Sequence, residues 1–359
     1  MTLPPEVAEL VIDRCRDRPT LASCSLVCKA WRTRARFRLF AAAPVIAFDV
    51  PGVPRVRELL ATLKHPLCTL HPFIQSLSIR QSSLSASWLN PVIPTLVGLS
   101  NLTSLEIFAE HSLLSAESQA LFQTHFRSLR HLSLCLTFTT FPHAVTLVCS
   151  FPLLESLHLH AQWIGASPAS PSSLPPNLHT LDVGGFLEDV LVWLLSCPPS
   201  PAVSSVQLRD VAHHEFGIVF RYLRFVEATL KSFHFSFLDK RSEKTFLDSN
   251  FDVIHAPGLR ALGVEGRLSD DVTLMVHLLA HFDVSQLEEV SFTCLIAVNH
   301  RRPAWAQLDA QLSSPANICL RKVAIITLPH LESGIKAALP CLDERRILDF
   351  VFPKGLSKH

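Results

Sequence analysis

No stretch of this sequence approaches the roughly 20 consecutive apolar residues that cross a bilayer as a helix. The longest candidate, Leu39 to Phe48 (LFAAAPVIAF), is half that length and is interrupted by Pro44. The opening MTLPPEVAEL has no basic cluster and carries Glu6 and Glu9, so no secretory signal is expected. The expected location is cytoplasmic or nuclear, with no membrane partner. An excess of either charge is missing as well. The 32 Lys and Arg against 31 Asp and Glu leave a net charge of +1, which argues against a non-specific nucleic-acid binder. Glycine is scarce, at 11 residues, and no Gly-rich phosphate loop, GxSxG, HExxH or Walker-type motif occurs. The expectation is a non-catalytic protein with no cofactor and no metal.

Ten cysteines are present, at positions 15, 24, 28, 68, 135, 149, 197, 294, 319 and 341, with no CxxC pair among them. Spread in this way they read as reduced, buried small apolar residues, neither a disulfide framework nor a four-cysteine zinc knot. Charged residues make up only 18% of the chain and hydrophobic ones 48%, so burial must be extensive.

What the chain has in abundance is one pattern, apolar-x-x-apolar-x-apolar. It recurs as IQSLSI, LTSLEI, LRHLSL, LESLHL, LHTLDV, VSSVQL, LKSFHF, LRALGV, LEEVSF and LRKVAI. The central residues are Leu77, Leu105, Leu132, Leu157, Leu181, Val206, Phe233, Leu262, Val290 and Val323, 24 to 33 residues apart. The last two apolar positions alternate, so they share one face of a short strand. One such strand cannot bury its face alone, whereas stacked neighbours make a continuous core. Helical periods lie between the strands. SAESQALFQTHF offers Ser115 as an N-cap, with Phe122 and Phe126 four apart. SDDVTLMVHLLAHF starts at Ser269 and carries a Val272, Val276, Leu279 stripe, and FLEDVLVWLLSCPP ends at Pro198. A last alternation, Leu348, Phe350 and Phe352, predicts a capping strand. GASPASPSSLPPN, Gly165 to Asn177, reads as an exposed turn insert; Ser167-Pro168 and Ser170-Pro171 within it are sites open to phosphorylation.

From about residue 70 onward the chain resembles the leucine-rich repeat family, over about 280 residues. It departs from that family in one respect: no asparagine or cysteine stands three positions after the third apolar residue of any repeat, so the usual side-chain ladder is absent. The fold class expected is an α/β solenoid of about ten irregular strand-plus-helix units, curved, with the strands on its inner wall. The outward strand residues there are the candidate target-binding set: Arg80, Glu106, Phe108, His131, His158, His160, Asp182, Gln207, Arg209, His234, Glu265 and Glu289. Concave solenoid faces are the usual binding surfaces. His158 and His160 flank Leu159 and point the same way, which the strand spacing explains without a metal; the adjacent His213 and His214 diverge.

The N-terminus reads differently. Pro4 and Pro5 suit a helix start, and Glu6 and Glu9 complement its dipole. Val7, Leu10 and Val11 form an apolar stripe, RDRPT breaks the helix, and Thr20 is placed to cap a second helix carrying Leu21, Cys24, Val27, Cys28 and Trp31. Cys24 and Cys28 lie one turn apart but are too few to hold a metal. Two helices of this size cannot bury their apolar stripes against each other alone, so part of that surface must meet something else. LPPE at Leu3 to Glu6, followed by SLVCKAW at Ser25 to Trp31, resembles the F-box in a form common in fungi. It departs at Thr20, where many F-boxes place an aspartate, and in its basic linker RCRDRP.

The resemblance implies four regions: an F-box helical docking module at 1–40, a connecting segment and N-terminal cap at 41–72, the repeat domain at 73–340, and a C-terminal cap and tail at 341–359. It further implies the substrate-recognition subunit of a Skp–cullin–F-box ubiquitin ligase in the Ubl conjugation pathway. The F-box would dock a Skp-type adaptor, and through it a cullin-RING ligase, while the repeats hold an unidentified protein target. By motif match the adaptor contacts are Leu3, Pro4, Glu6, Leu10, Leu21, Val27, Cys28 and Trp31, with Trp31 the leading hot spot. The alternative is an interaction scaffold acting outside ubiquitination. A third reading, a metal-dependent enzyme built on the inner-face histidines, is the weakest.

Overall fold

The computed structural model describes residues 4–41, 45–48, 60–66, 68–81, 89–165, 173–197, 202–265, 271–294 and 303–352. Leu3, Ser167, Pro168, Ser170, Pro171, Pro198 and Ser269 lie outside them, and with them the expectations placed there. The chain divides into two compact units, Met1–Leu178 and His179–His359.

The first unit opens with three helices: α1 (Pro5–Arg14), α2 (Arg18–Val27) and α3 (Lys29–Ala41). Two details correct the sequence reading. The cap of α2 is Asp17, whose carboxylate accepts the Thr20 N–H at 2.8 Å, so Thr20 sits inside the first turn. The expected second helix is also two helices. Cys28 is fully extended (φ −159°, ψ 172°), which places Trp31 on α3. Ile12, Leu21, Cys24 and Ala35 close a small core, and Cys15, Trp31 and Leu39 pack against it. The buried side of α1 is therefore Ala8 and Ile12. The Val7, Leu10 and Val11 stripe, about 100° around the helix from them, stays in solvent.

The rest of this unit is parallel strands joined by helices. β1 (Val45–Phe48), β2 (Ser76–Gln81), β3 (Ser104–Leu113), β4 (His131–Thr140) and β5 (Ser156–Leu159) pair in sequence order, and a short β6 (Gln162–Gly165) pairs with the far half of β4. Between them run α4 (Leu89–Leu96), α5 (Ala116–His125) and α6 (Phe141–Cys149). Ser115 caps α5 by accepting the Ser118 N–H at 3.2 Å, and Phe122 and Phe126 meet with ring centroids 5.3 Å apart.

The second unit repeats the scheme. β7 (Thr180–Gly184), β8 (Ser205–Val211), β9 (Ser232–Phe237), β10 (Ala261–Glu265), β11 (Glu289–Cys294), β12 (Lys322–Thr327) and β13 (Leu348–Val351) pair in order, all parallel. The intervening helices are α7 (Leu187–Ser196), α8 (Phe216–Val226), α9 (Lys240–Asp248), α10 (Asp271–Leu279), α11 (Pro303–Ser313), α12 (Glu332–Ala338) and α13 (Pro340–Glu344).

The pairing register follows the periodic pattern residue for residue within each unit. Leu77 stands opposite Leu105, Leu105 opposite Leu132, and Leu132 opposite Leu157. Leu181, Val206, Phe233, Leu262, Val290 and Val323 form the corresponding row in the second unit, continued by Leu348. Each of the ten is at most 1% exposed. Burial of such a side chain stabilises by roughly 1.5–3 kcal/mol, and a one-residue slip would turn the whole row to the other face. Register is thus set by the core. Helix residues complete that core, as where Phe246 of α9 meets Phe235 and Phe237 at ring centroids 5.6 and 5.2 Å apart.

The missing asparagine ladder is replaced by two other devices. Before most strands the chain makes a tight turn, as where the Leu102, Leu129, Leu154, Leu259 and Leu287 N–H groups donate to the carbonyl three residues back. The residue just ahead of most of these strands then offers one carbonyl to two N–H groups of the next repeat. Gln75 receives Thr103 and Ser104, Arg130 receives Glu155 and Ser156, and Lys231 receives Arg260 and Ala261. At helix starts, buried carboxylates complete the hydrogen bonding. Glu215 accepts the Leu187 N–H at 3.0 Å and the Ala212 N–H at 2.8 Å; Asp309 accepts the N–H groups of Cys341 and Leu342, both at 3.1 Å.

Candidate docking surfaces

Among the described residues no three His, Cys, Asp or Glu side chains gather where a metal ion could be held, and no helix is long and apolar enough to cross a membrane. Three surfaces carry the residues the sequence singled out.

The first is the helical module. Pro4 and Glu6 are exposed at the start of α1, and Cys28 is exposed at the α2–α3 break. Leu10 is 63% exposed and Val27 61%. Leu21, by contrast, is buried in the module core, and Trp31 is half-buried against that core. These two therefore hold the module together. Leu26, which the motif match passed over, is 82% exposed. The basic α3 is not simply solvated: Arg34 and Arg38 both reach back to Asp13 of α1. The Arg34 guanidinium holds the Asp13 carboxyl below its ordinary range.

The second surface is the strand face of the first unit. The register sets Ser78, Glu106, Ser133 and His158 in one row, with Ser104, His131 and Ser156 in the next. Glu106 is fixed by Arg80 (Nη2 to Oε1, 2.9 Å) and by Ser78 (Oγ to Oε2, 2.5 Å). Glu106, His131 and His158 line one shallow cleft of about 250 Å³. Phe108 stands 42% exposed opposite Arg80. His160 follows the last residue of β5 and donates its backbone N–H to the Leu134 carbonyl at 2.9 Å; the residue that joins His158 in the cleft is His131.

The third surface is the strand face of the second unit. Asp182, 2% exposed, is held by a two-pronged clamp from Arg209, with Nε to Oδ1 and Nη2 to Oδ2 both at 2.9 Å. Gln207 and His234 continue the same row on β8 and β9. Burial lowers the His234 pKa more than the neighbouring carboxylates raise it, so its imidazole is neutral at pH 7. Glu265 stands exposed at the end of β10. Glu289 pairs with Lys322 at 3.0 Å, and Lys322 also reaches Asp349 at 3.3 Å.

Sequence reasoning missed Gly263, Ser291, Lys322 and Asp349 on this face. All four were legible as outward strand positions. Gly263 had a further signal, a scarce residue type placed mid-strand.

No known family model matches the chain, and no curated protein matches it in sequence.

Proposed function

We propose that this protein is the substrate-recognition subunit of a Skp–cullin–F-box ubiquitin ligase, in which the helical module docks the adaptor and an irregular leucine-rich repeat region binds the target. The observation that carries the reading is the apolar exposure of the module. Val7, Leu10, Val11, Leu26 and Val27 are each between 42% and 82% exposed, although the module already has a closed core of its own. A monomer gains nothing from such side chains, whereas a docking helix pair requires them. Pro5 and Glu6 of LPPE lie on α1, and Ser25, Leu26 and Val27 of SLVCKAW on α2. The strand faces, with their mixed polar side chains, suit a protein target better than a polyanion.

The test is co-purification of the full chain with a Skp-type adaptor and a cullin. Leu10→Ser with Val27→Ser is the variant of choice. Trp31→Ala is a poorer one, because Trp31 supports the core. Wild type is expected to bind, and the double variant to lose at least tenfold in affinity with unchanged thermal stability. Adaptor binding without cullin would point to a scaffold acting outside ubiquitination. No adaptor binding by the wild type would sink the proposal.

A further inference from the structure

We propose that the strand face of the His179–His359 unit binds an arginine side chain of a basic target segment, anchored by Glu265. This rests on the receptor reading above and names the chemistry of its target. The register lays Gln207, His234, Gly263, Ser291 and Ala324 side by side across five strands. Two of these have almost no side chain, so the face dips there. At Gly263 an added Cβ would lie 2.2 Å from His234 Nδ1 and 2.5 Å from Ser291 Oγ. The imidazole and the hydroxyl therefore both lean over the glycine and form a polar floor. The pocket above it measures about 60 Å³, room for one small planar head group.

The charges on this face choose the occupant. Among the described residues Asp182, Glu265, Glu289 and Asp349 supply four carboxylates, while Arg209 and Lys322 supply two cations, and His234 is neutral. Arg209 is already committed to Asp182, and Lys322 to Glu289 and Asp349. Glu265 lines the pocket two residues beyond Gly263 and makes no hydrogen bond or ion pair among the described residues. An arriving guanidinium meets at the rim the Glu265 carboxylate, on which Arg209 acts only through space among the described residues, and uncharged acceptors on the floor, the arrangement that hydrogen-bonds a planar cation. A phosphate would be repelled by the Glu265 carboxylate at the rim. The exposed cations Lys231, Arg260 and Arg321 stand at the strand starts. Arg260 is five residues from Glu265 along the chain, about 16 Å at a strand's rise. That exceeds the roughly 8 Å screening length of physiological salt.

The experiment uses the full chain and fluorescence anisotropy with two labelled probes, a six-residue peptide alternating glycine and arginine and its glycine–glutamate counterpart. The arginine peptide is expected to bind saturably and the glutamate peptide not to bind. Glu265→Gln is expected to weaken arginine-peptide binding about tenfold, as loss of a charge-assisted hydrogen bond does. Glu265 is exposed, so folding should be unchanged. Gly263→Ala, which crowds the floor, is expected to weaken it as well. Equal binding of both peptides, no binding of either, or full affinity in Glu265→Gln would overturn the proposal. Adaptor co-purification on the same preparations keeps the two readings apart: Glu265→Gln leaves adaptor binding intact, and loss of the adaptor reading leaves the peptide result standing.

Discussion

Arg34 grips Asp13 across the helical module through two parallel hydrogen bonds, Nε to Oδ1 at 2.8 Å and Nη2 to Oδ2 at 2.5 Å. The pair joins α3 to α1, the helix whose apolar stripe faces solvent. Asp13→Asn is therefore expected to raise amide hydrogen exchange across α1 while leaving the strands of the second unit unchanged. The Asp13 pKa is lowered from 3.8 in the folded chain. Its contribution is full above that value and is lost as the pH falls through the lowered folded value. Wild-type α1 amides should keep their protection at pH 5 and lose it in acid, and equal exchange in wild type and variant at neutral pH would show the clamp to be idle.

Asp182 in the second unit is almost wholly buried, and Arg209 clamps both of its carboxylate oxygens. Arg209→Met removes the two charge-assisted hydrogen bonds that hold a buried carboxylate. Such truncations cost roughly 3–5 kcal/mol, and the 40% exposure of the arginine side chain brings the expectation to about 2 kcal/mol. Adding Asp182→Asn to the variant should recover part of it. Urea denaturation of the two variants decides; a double variant no more stable than the single one would contradict the pairing argument.

Tyr222, the chain's one tyrosine, is 1% exposed, and its hydroxyl finds no hydrogen-bond partner among the described residues. Burial pushes its pKa well up. Tyr222→Phe removes a desolvated polar group without opening a cavity, so it is expected to stabilise, by about 1 kcal/mol. A clear fall in the denaturation midpoint would mean that the hydroxyl is satisfied after all.

His281 is buried and shares a 3.2 Å Nε2–Nε2 contact with His277, among the rings of Phe220, Phe246 and Phe251. Burial, and next the neighbouring His277, lower its pKa below 6.5. A depressed folded value means that its stabilisation is full above pH 6.5 and is lost as the pH falls through the lowered value. Thermal midpoints should drop more steeply between pH 7 and pH 5 in wild type than in His281→Leu. Parallel curves would assign the acid sensitivity elsewhere.

How much of this was legible beforehand depended on how strongly each feature is tied to burial. The row from Leu77 to Leu157 and that from Leu181 to Val323 were readable because a buried strand face leaves no freedom of register. Ser115 announced its helix for a similar reason: an N-cap has few substitutes. The α2–α3 break at Cys28 had no glycine or proline to mark it. Helical spacing alone could not distinguish the buried Ala8–Ile12 side of α1 from the exposed Val7–Leu10–Val11 side, because a docking face and a core face look alike in pattern. The Asp13–Arg34 and Arg209–Asp182 pairs join residues 21 and 27 positions apart, and only folded strands and helices bring them together.

The shared carbonyl ahead of most strands has a consequence for how such a chain can change. Gln75, Thr103, Arg130, His179, Ser204, Lys231, Arg260 and Glu288 all do the same structural work with their main-chain carbonyls. The Thr103 and Ser204 hydroxyls add a bond to the preceding carbonyl, but the main-chain bonds form whatever the side chain is, and so acids, bases, amides and alcohols share the position. This edge is a row of sites where mutation can rewrite surface chemistry while the framework stays as it was, so new binding preferences can arise there without first being compensated in the core.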